Sequence, residues 1–220
     1  MSFDLLAPHY GWMETVLAGR KLQRCRLAFL DTARASRHAL LVGEGHGRFL
    51  AEFLRANARA RAVCVEGSGP MIRQSRARLE RAGLDAGRVE FVQADALAWA
   101  PPENTFDLIA THFFLDCFRA EQLETLVARL ARGVTPGGHW LLSDFGEPPG
   151  VLMRARARLI LRSMYLFFCL AAKLPARRLE PPDPFLRANG FELRERQWSE
   201  WGLLHSDLWT RLTDLKKNAP

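Results

Sequence analysis

The 220-residue sequence predicts an α/β fold: a doubly wound, mostly parallel seven-stranded sheet with a helical lid insert. Three observations predict it. Short apolar runs alternate with segments of helical periodicity, as in a sheet whose crossovers are helices. The runs are apolar at every position rather than at every second one, which suits strands covered on both faces. The first run, "ALLVG", passes directly into three glycines at alternate positions, Gly43, Gly45 and Gly47, before a helical pattern begins.

Taken in order, residues 10–34 read as one or two helices. "HALLVG" (38–43) is the first strand, and "GRFLAEFLRANARA" carries Phe49, Leu50, Phe53 and Leu54 at helical spacing. "RAVCVEGS" is a second strand ending at Glu66. The helix in "GPMIRQSRARLERAG" has Pro70 near its start and Gly83 at its end, the usual punctuation. "RVEFVQAD" and "TFDLIATHFFL" are the third and fourth strands. "EQLETLVARLARGV" is a helix stopped by "TPGG", and "HWLLSDF" is the fifth strand. "EPPG" and "LEPPDP" bracket an insert, after which "FELRERQW" and "LLHSDLWTRL" form two more strands joined near Gly202. The chain divides into an N-terminal helical lid (1–37), a core (38–147), a helical insert (148–190) and closing antiparallel strands (191–213), all within one expected domain.

Composition narrows the class. The apolar and charged fractions are those of a globular protein. Cys25, Cys64, Cys117 and Cys169 are scattered, with no C-x-x-C pair, which argues against a disulfide framework and a zinc site. No basic start leads into an apolar run, so no signal peptide is expected and the location is taken as cytoplasmic. The formal charge of +7 comes mainly from arginines spread over several helices. Such a surface attracts nucleic acid or anionic lipid, or is simply solvated.

Glycines between a strand and a helix let a backbone approach a ligand with no Cβ in the way. The G-x-G-x-G spacing is neither the dinucleotide fingerprint nor a phosphate loop. Glu66, ending the second strand, is suited to accept hydrogen bonds from ribose hydroxyls. Asp95, ending the third, is suited to accept from an adenine amino group. Each alone is also an ordinary helix cap or strand end. Together, three successive strand ends bearing glycines, Glu and Asp point to a nucleoside.

With these residues in place, the sequence resembles the class I S-adenosylmethionine-dependent methyltransferases over roughly residues 38–212. "LLVGEGHG" matches that family's first motif, "VCVEGS" its ribose-binding acid, "VQADA" its adenine site and "FDLIATHFFL" its fourth strand. The resemblance implies a cofactor, S-adenosylmethionine, leaving as S-adenosylhomocysteine, and no metal. It implies that Gly43, Gly45 and Gly47 border the methionine end. Glu66, with Gly67 and Ser68 beside it, would hold the ribose, and Asp95 and Ala96 would read the adenine. Thr111 and His112 end the fourth strand beside them. Glu44 departs from the family's small residue; it meets the methionine ammonium or faces solvent. "FDLLAPHYGWME" is similar to the segment that opens quinone-ring C-methyltransferases, where it folds over the cofactor; Tyr10, beside His9, is the matching residue.

Methyl transfer from a sulfonium is a displacement in which alignment supplies much of the catalysis. A base is needed only if the acceptor has a proton to lose. His112 is the first candidate base because histidine titrates near neutrality; its other reading is a hydrogen bond to the cofactor. Asp116, one helical turn on, would orient it or cap a helix. Asp144, ending the fifth strand, is the third catalytic candidate. "THFFLD" lacks an "NPPY"-like sequence, which argues against a nucleobase amine as acceptor.

In the insert, "MRARARLILRSMYLFFCLAAKL" (153–174), Arg154, Arg158, Arg162, Cys169 and Lys173 fall near one helical stripe and the rest is apolar. Interrupted by Arg162, it is too short to span a bilayer. It is expected to be a lid lining an acceptor pocket with Met153, Met164, Tyr165, Phe167 and Phe168, or to dock peripherally on a membrane. The expected activity is therefore O- or C-methylation of a hydrophobic or aromatic small molecule, by a monomer or homodimer with no nucleic-acid partner. The alternatives are an RNA methyltransferase, favoured by charge alone, and a protein that keeps the fold but acts as a scaffold.

Overall fold

The computed structural model describes residues 20–148, 150–172 and 179–213, without the side chains of 163–172. Two short helices, α1 (Lys21–Leu27) and α2 (Leu30–Ala33), precede β1 (His38–Val42). Then follow α3 (Arg48–Ala56), β2 (Arg61–Glu66), α4 (Gly69–Arg81), β3 (Val89–Gln93) and β4 (Phe106–His112). Next come α5 (Ala120–Gly133), β5 (Val134–Phe145), α6 (Val151–Ala172), α7 (Asp183–Ala188), β6 (Phe191–Ser199) and β7 (Leu204–Arg211).

The seven strands form one sheet in the order β3-β2-β1-β4-β5-β7-β6. The first five are mutually parallel, and β7 runs antiparallel to both β5 and β6. Strand order reverses between β1 and β4. A crevice opens there beyond the carboxyl ends of the strands, because the helices that follow β1 and β4 leave in opposite directions.

Side-chain alternation assigns each strand residue to one of two cores. Leu40, Val42, Ile109, Trp140 and Leu142 pack against Leu123, Leu126, Val127 and Leu130 of α5. Ala39, Leu41, Leu108, Ala110 and Leu141 pack against Phe49, Leu50, Phe53 and Leu54 of α3 and Leu79 of α4. Since both faces are covered, the central strands contain no polar alternation. Each fully buried Leu or Phe contributes roughly 1.5–3 kcal/mol relative to exposure.

Three details differ from the sequence expectation. The fifth strand begins at Val134 rather than after "TPGG". Val134 pairs with Phe106, and the register shifts between Phe106 and Leu108, so a bulge absorbs Pro136 and the positive φ of Gly137 (78°). The short helix α7, which begins with Pro184 in its first turn, lies within what the sequence reading treated only as insert. The insert helix itself runs from Val151 to Ala172.

The N-terminal helix α1 is clasped onto the sheet. The Ser143 and Ser206 hydroxyls both donate to the Cys25 carbonyl at 2.9 Å, and the Cys25 thiol lies 3.1 Å from the Ser199 hydroxyl. This clasp carries the next residue, Arg26, over the crevice. In the closing hairpin, the fully buried Asp207 accepts from Arg196 Nε (2.7 Å) and Nη2 (2.6 Å), His205 Nδ1 (3.0 Å) and Trp209 Nε1 (3.2 Å). Arg196 also reaches Asp183 of α7 at 2.9 Å. Burial pushes the Asp207 carboxyl up, but the hydrogen bonds and charges of Arg196 and His205 hold it below its usual range.

Candidate functional site

A cavity of about 470 Å³ occupies the crevice. Its floor is the turn after β1, its sides are the ends of β2, β3 and β4, and Arg26 reaches it from α1. Gly43, Glu44, Gly45, Glu66, Gly67, Ser68, Asp95, Ala96 and His112, all expected from the sequence, line it.

The three glycines of the turn have positive φ, but for different ends. A Cβ on Gly43 would overlap the Phe114 ring, and one on Gly47 would overlap Ser75 of α4. Gly47 is thus a packing residue where α3 starts against α4, and it does not line the cavity, contrary to expectation. At Gly45 a Cβ would meet nothing within 4 Å. The Gly45 backbone therefore borders open space at the cavity floor, as a close approach by a ligand requires.

Glu66 joins two loops. Its Oε2 accepts from the Gly45 amide at 3.0 Å and its Oε1 from the Ser68 amide at 2.9 Å. The Glu66 carboxylate thus lines the cavity where β2 ends and ties the turn after β1 to the turn after β2. Ser68 caps α4, accepting from the Met71 amide at 3.4 Å. Asp95 Oδ1 accepts from the Leu97 amide at 2.9 Å and closes the turn that sets Ala96 against the cavity.

Glu44 neither simply faces solvent nor stands alone. Its Oε1 accepts from the Phe49 and Leu50 amides at 2.8 and 3.0 Å, capping the start of α3. Burial raises its pKa to about 7, opposed by the Leu50 amide and the Arg26 charge. Glu44 and Arg26 thus bring opposite charges to one cavity.

His112 lies at the end of β4, 7% exposed, with its ring 4.6 Å from that of Phe49 in an edge contact. Neither ring nitrogen has a hydrogen-bond partner among the described residues. Burial, aided by the Arg26 charge, lowers its pKa to about 3. The expectation of a base titrating near neutrality is therefore corrected: this imidazole is neutral at pH 7 and binds a proton weakly. Its ring contributes to the cavity wall, while both nitrogens are themselves buried.

Asp116 and Asp144 are corrected as well, since neither lines the cavity and neither touches a His112 nitrogen. They face each other beneath the turn that follows β4. Asp144 Oδ2 accepts from the Asp116 amide at 3.0 Å, and its Oδ1 from the Phe145 amide at 2.9 Å. Burial raises both carboxyls, and mutual repulsion raises Asp144 further. Two such facing, buried carboxyls hold their protons more tightly than carboxyls in water. Thr111 is corrected too: its hydroxyl accepts from the Trp140 indole at 2.9 Å, within the core and away from the cavity. Met153 is half-buried on α6 and is not a lining residue. Tyr10 and His9, and the side chains of Met164, Tyr165, Phe167 and Phe168, lie outside the described residues.

The sequence reading missed Arg26 and the wall made by Phe113, Phe114, Cys117 and Phe118. Arg26 stacks over the Phe113 ring at 5.1 Å, and Phe114 meets Phe118 edge-on at 5.0 Å. Phe113 has φ +54°, unfavourable for an aromatic residue, and its amide is tied to the Ser143 carbonyl at 2.7 Å. The run "HFF" was a legible signal for the aromatic wall. Nothing local marks Arg26, which arrives through the clasp on Cys25. Among the described residues no three His, Cys, Asp or Glu side chains converge as metal ligands.

With this geometry in hand, comparison with known proteins is informative. A family model described as "Methyltransferase domain" matches residues 39–138. The chain is 30% identical over 154 residues to the ubiquinone/menaquinone biosynthesis C-methyltransferase UbiE of Pseudomonas fluorescens (strain SBW25), covering 69% of this chain and 59% of that protein. To UbiE of Pseudomonas putida (strain GB-1) it is 30% identical over 175 residues, covering 78% and 66%. The chain thus spans less than two thirds of the length of these relatives. Among solved structures, the 1,6-didemethyltoxoflavin-N1-methyltransferase of Burkholderia thailandensis, with its substrate and S-adenosylhomocysteine bound, aligns with a TM-score of 0.67 at 19% identity, covering 96% of this chain and 86% of that one. That likeness speaks for the fold.

Proposed function

Because the chain belongs to the class I S-adenosylmethionine-dependent methyltransferase family, we propose that it methylates a hydrophobic or aromatic small molecule at oxygen or carbon. The observation that carries this reading is the cavity floor, where open space over Gly45 meets the Glu66 carboxylate, with the His112 ring in the wall beside them. An adenosyl amino acid fits this set. The bare Gly45 backbone admits close contact, the Glu66 carboxylate lines the cavity as an acceptor for ribose hydroxyls, and Asp95 with Ala96 suits the adenine edge. The bound cofactor supplies a methyl group activated on a sulfonium.

The chain's own residues bind, orient and exclude water. Arg26 and Glu44 present opposite charges, which suit the carboxylate and ammonium of the methionine end. Neutral His112 adds its ring to the cavity wall without competing as a strong base. Phe113, Phe114 and Phe118 give an apolar wall for a planar acceptor. In this reading most of the catalysis comes from alignment of the methyl group and the acceptor. The UbiE relatives are named for C-methylation in quinone biosynthesis, which supports an aromatic or quinone-like acceptor here.

Calorimetric titration with S-adenosylhomocysteine, S-adenosylmethionine and NAD tests the cofactor. Both adenosyl ligands should bind, NAD should not, and Glu66→Ala and Gly45→Val should each weaken binding at least about ten-fold, as loss of a charge-assisted hydrogen bond or filling of the contact space implies. Equal binding by wild type and both variants would overturn the reading. Transfer of a labelled methyl group to a panel of apolar phenols and quinols then tests the acceptor class.

A further inference from the structure

We infer that the outward face of α6 docks the protein on an anionic lipid surface. Ala157 and Leu161 turn α6 inward and are buried, with Met153 and Ile160 half-buried beside them. The opposite face should then be polar. Instead Val151 is 88% exposed, Leu152 77% and Leu159 69%. Val151, Ala155 and Leu159 follow one another at intervals of four and make a single stripe, with Leu152 at its edge. Arg154 and Arg158 flank it on one side and Arg156 on the other, and Arg162 extends it; all four are exposed.

Charge selects the occupant. No acidic residue occurs between Glu147 and Glu180, whereas that interval holds four arginines on α6 and Lys173, Arg177 and Arg178 beyond. Glu147 neutralises Arg158 at 2.9 Å, and Arg154 Nε donates to the Pro148 carbonyl at 3.4 Å. Arg156 and Arg162 are left as exposed charges bordering an apolar stripe. Apolar side chains bounded by arginines match an interface of acyl chains beneath anionic headgroups. Nucleic acid would use the arginines but leave the leucines in water. The turn Glu200–Gly202 packs against α6 and holds Trp201 at 74% exposure, a side chain favoured at lipid interfaces. No described helix is long and apolar enough to cross a membrane, so α6 lies on the surface.

Docking would draw an apolar acceptor directly from the bilayer. In that respect the inference rests on the proposed acceptor class, but lipid binding is measured without methyl transfer. The experiment is co-sedimentation of the full chain with vesicles of phosphatidylcholine alone or mixed equally with phosphatidylglycerol. Binding should require phosphatidylglycerol and fall with added salt. Leu152→Glu/Leu159→Glu should lower the partition coefficient at least ten-fold. Arg156→Gln/Arg162→Gln should lower it about thirty-fold, at roughly 1 kcal/mol per arginine near an anionic surface. Circular dichroism and the S-adenosylhomocysteine titration should be unchanged in both, which separates this failure from failure of the cofactor reading. No binding to phosphatidylglycerol vesicles, or binding that both folded variants retain, would overturn the inference. So would a dimer dissociated by Leu152→Glu/Leu159→Glu in a protein that ignores vesicles, which would make the face a protein interface.

Discussion

Replacing Glu44 by glutamine should stabilise the ligand-free protein at alkaline pH. The Glu44 carboxyl titrates at about 7 in the folded protein against 4.5 as its ordinary value, because burial opposes its charge. The folded state therefore holds this proton more tightly than the unfolded state. Below pH 4.5 both states are protonated and the group costs nothing. As pH rises towards 7 the unfolded state ionises first, and the folded state loses relative stability. A shift of this size corresponds to about 3 kcal/mol, at 1.36 kcal/mol per unit. The side-chain amide introduced by Glu44→Gln can still accept from Phe49 or Leu50 but forgoes the charge at the start of α3, worth about 0.3–1 kcal/mol. The variant should thus be about 2–3 kcal/mol more stable than wild type at pH 8 and no more stable at pH 4.5. His112 contributes with opposite sign: lowered to about 3, it favours folding increasingly as pH rises to 6.5. That term is common to both proteins and cancels in their difference. Urea unfolding at several pH values between 4.5 and 8 measures this difference. A difference that stays constant across the range would refute the buried, cavity-facing carboxyl.

Three further outcomes follow from the same geometry. S-adenosylmethionine should bind wild type more tightly as pH rises through 7, where Glu44 ionises, and the dependence should flatten in Glu44→Gln; calorimetry in two buffers of different ionisation enthalpy also reads the proton released. His112→Phe should leave the ligand-free protein as stable or about 1–2 kcal/mol more stable, since two unpaired buried nitrogens disappear, while weakening cofactor binding in titration; a large loss of stability would mean that the imidazole has partners. Arg196→Met should lower unfolding free energy by about 3–5 kcal/mol, because Asp207 is left charged and buried, and denaturant midpoints of Arg196→Met and Asp207→Asn should show the Asn variant less affected.

What could be read from the sequence divides along a physical line. The turn after β1 was legible because its chemistry is local: three glycines are needed within a few residues for the backbone to bend and be approached, and no distant residue can supply that. Glu66 and Asp95 were legible for a related reason, since parallel strands deliver the residues at and just beyond their ends to one edge: Glu66 ends β2, and Asp95 follows shortly after Gln93, the last residue of β3. Even there, local reading merged two roles. Gly45 borders the cavity and Gly47 packs on Ser75, a distinction that depends on where α4 lies.

The catalytic candidates show the other side of that line. His112 and Asp144 stand out by residue type and by position at strand ends, and Asp116 by lying one helical turn beyond His112. Their protonation is set by groups distant in sequence. Arg26, carried in by a helix clasped through Cys25 to Ser143 and Ser206, helps hold His112 neutral. Asp144 finds Asp116 rather than a histidine because the turn after β4 donates its Asp116 amide to it. A histidine at a strand end beside a nucleoside site looks like a base only if it can hold a proton, and desolvation by the surrounding fold decides that. The same desolvation moves Glu44, which local reading placed in solvent or on an ammonium, into the titration range usually assigned to histidine. In this cavity the group that changes charge near pH 7 is a carboxyl, and the histidine is the fixed neutral partner.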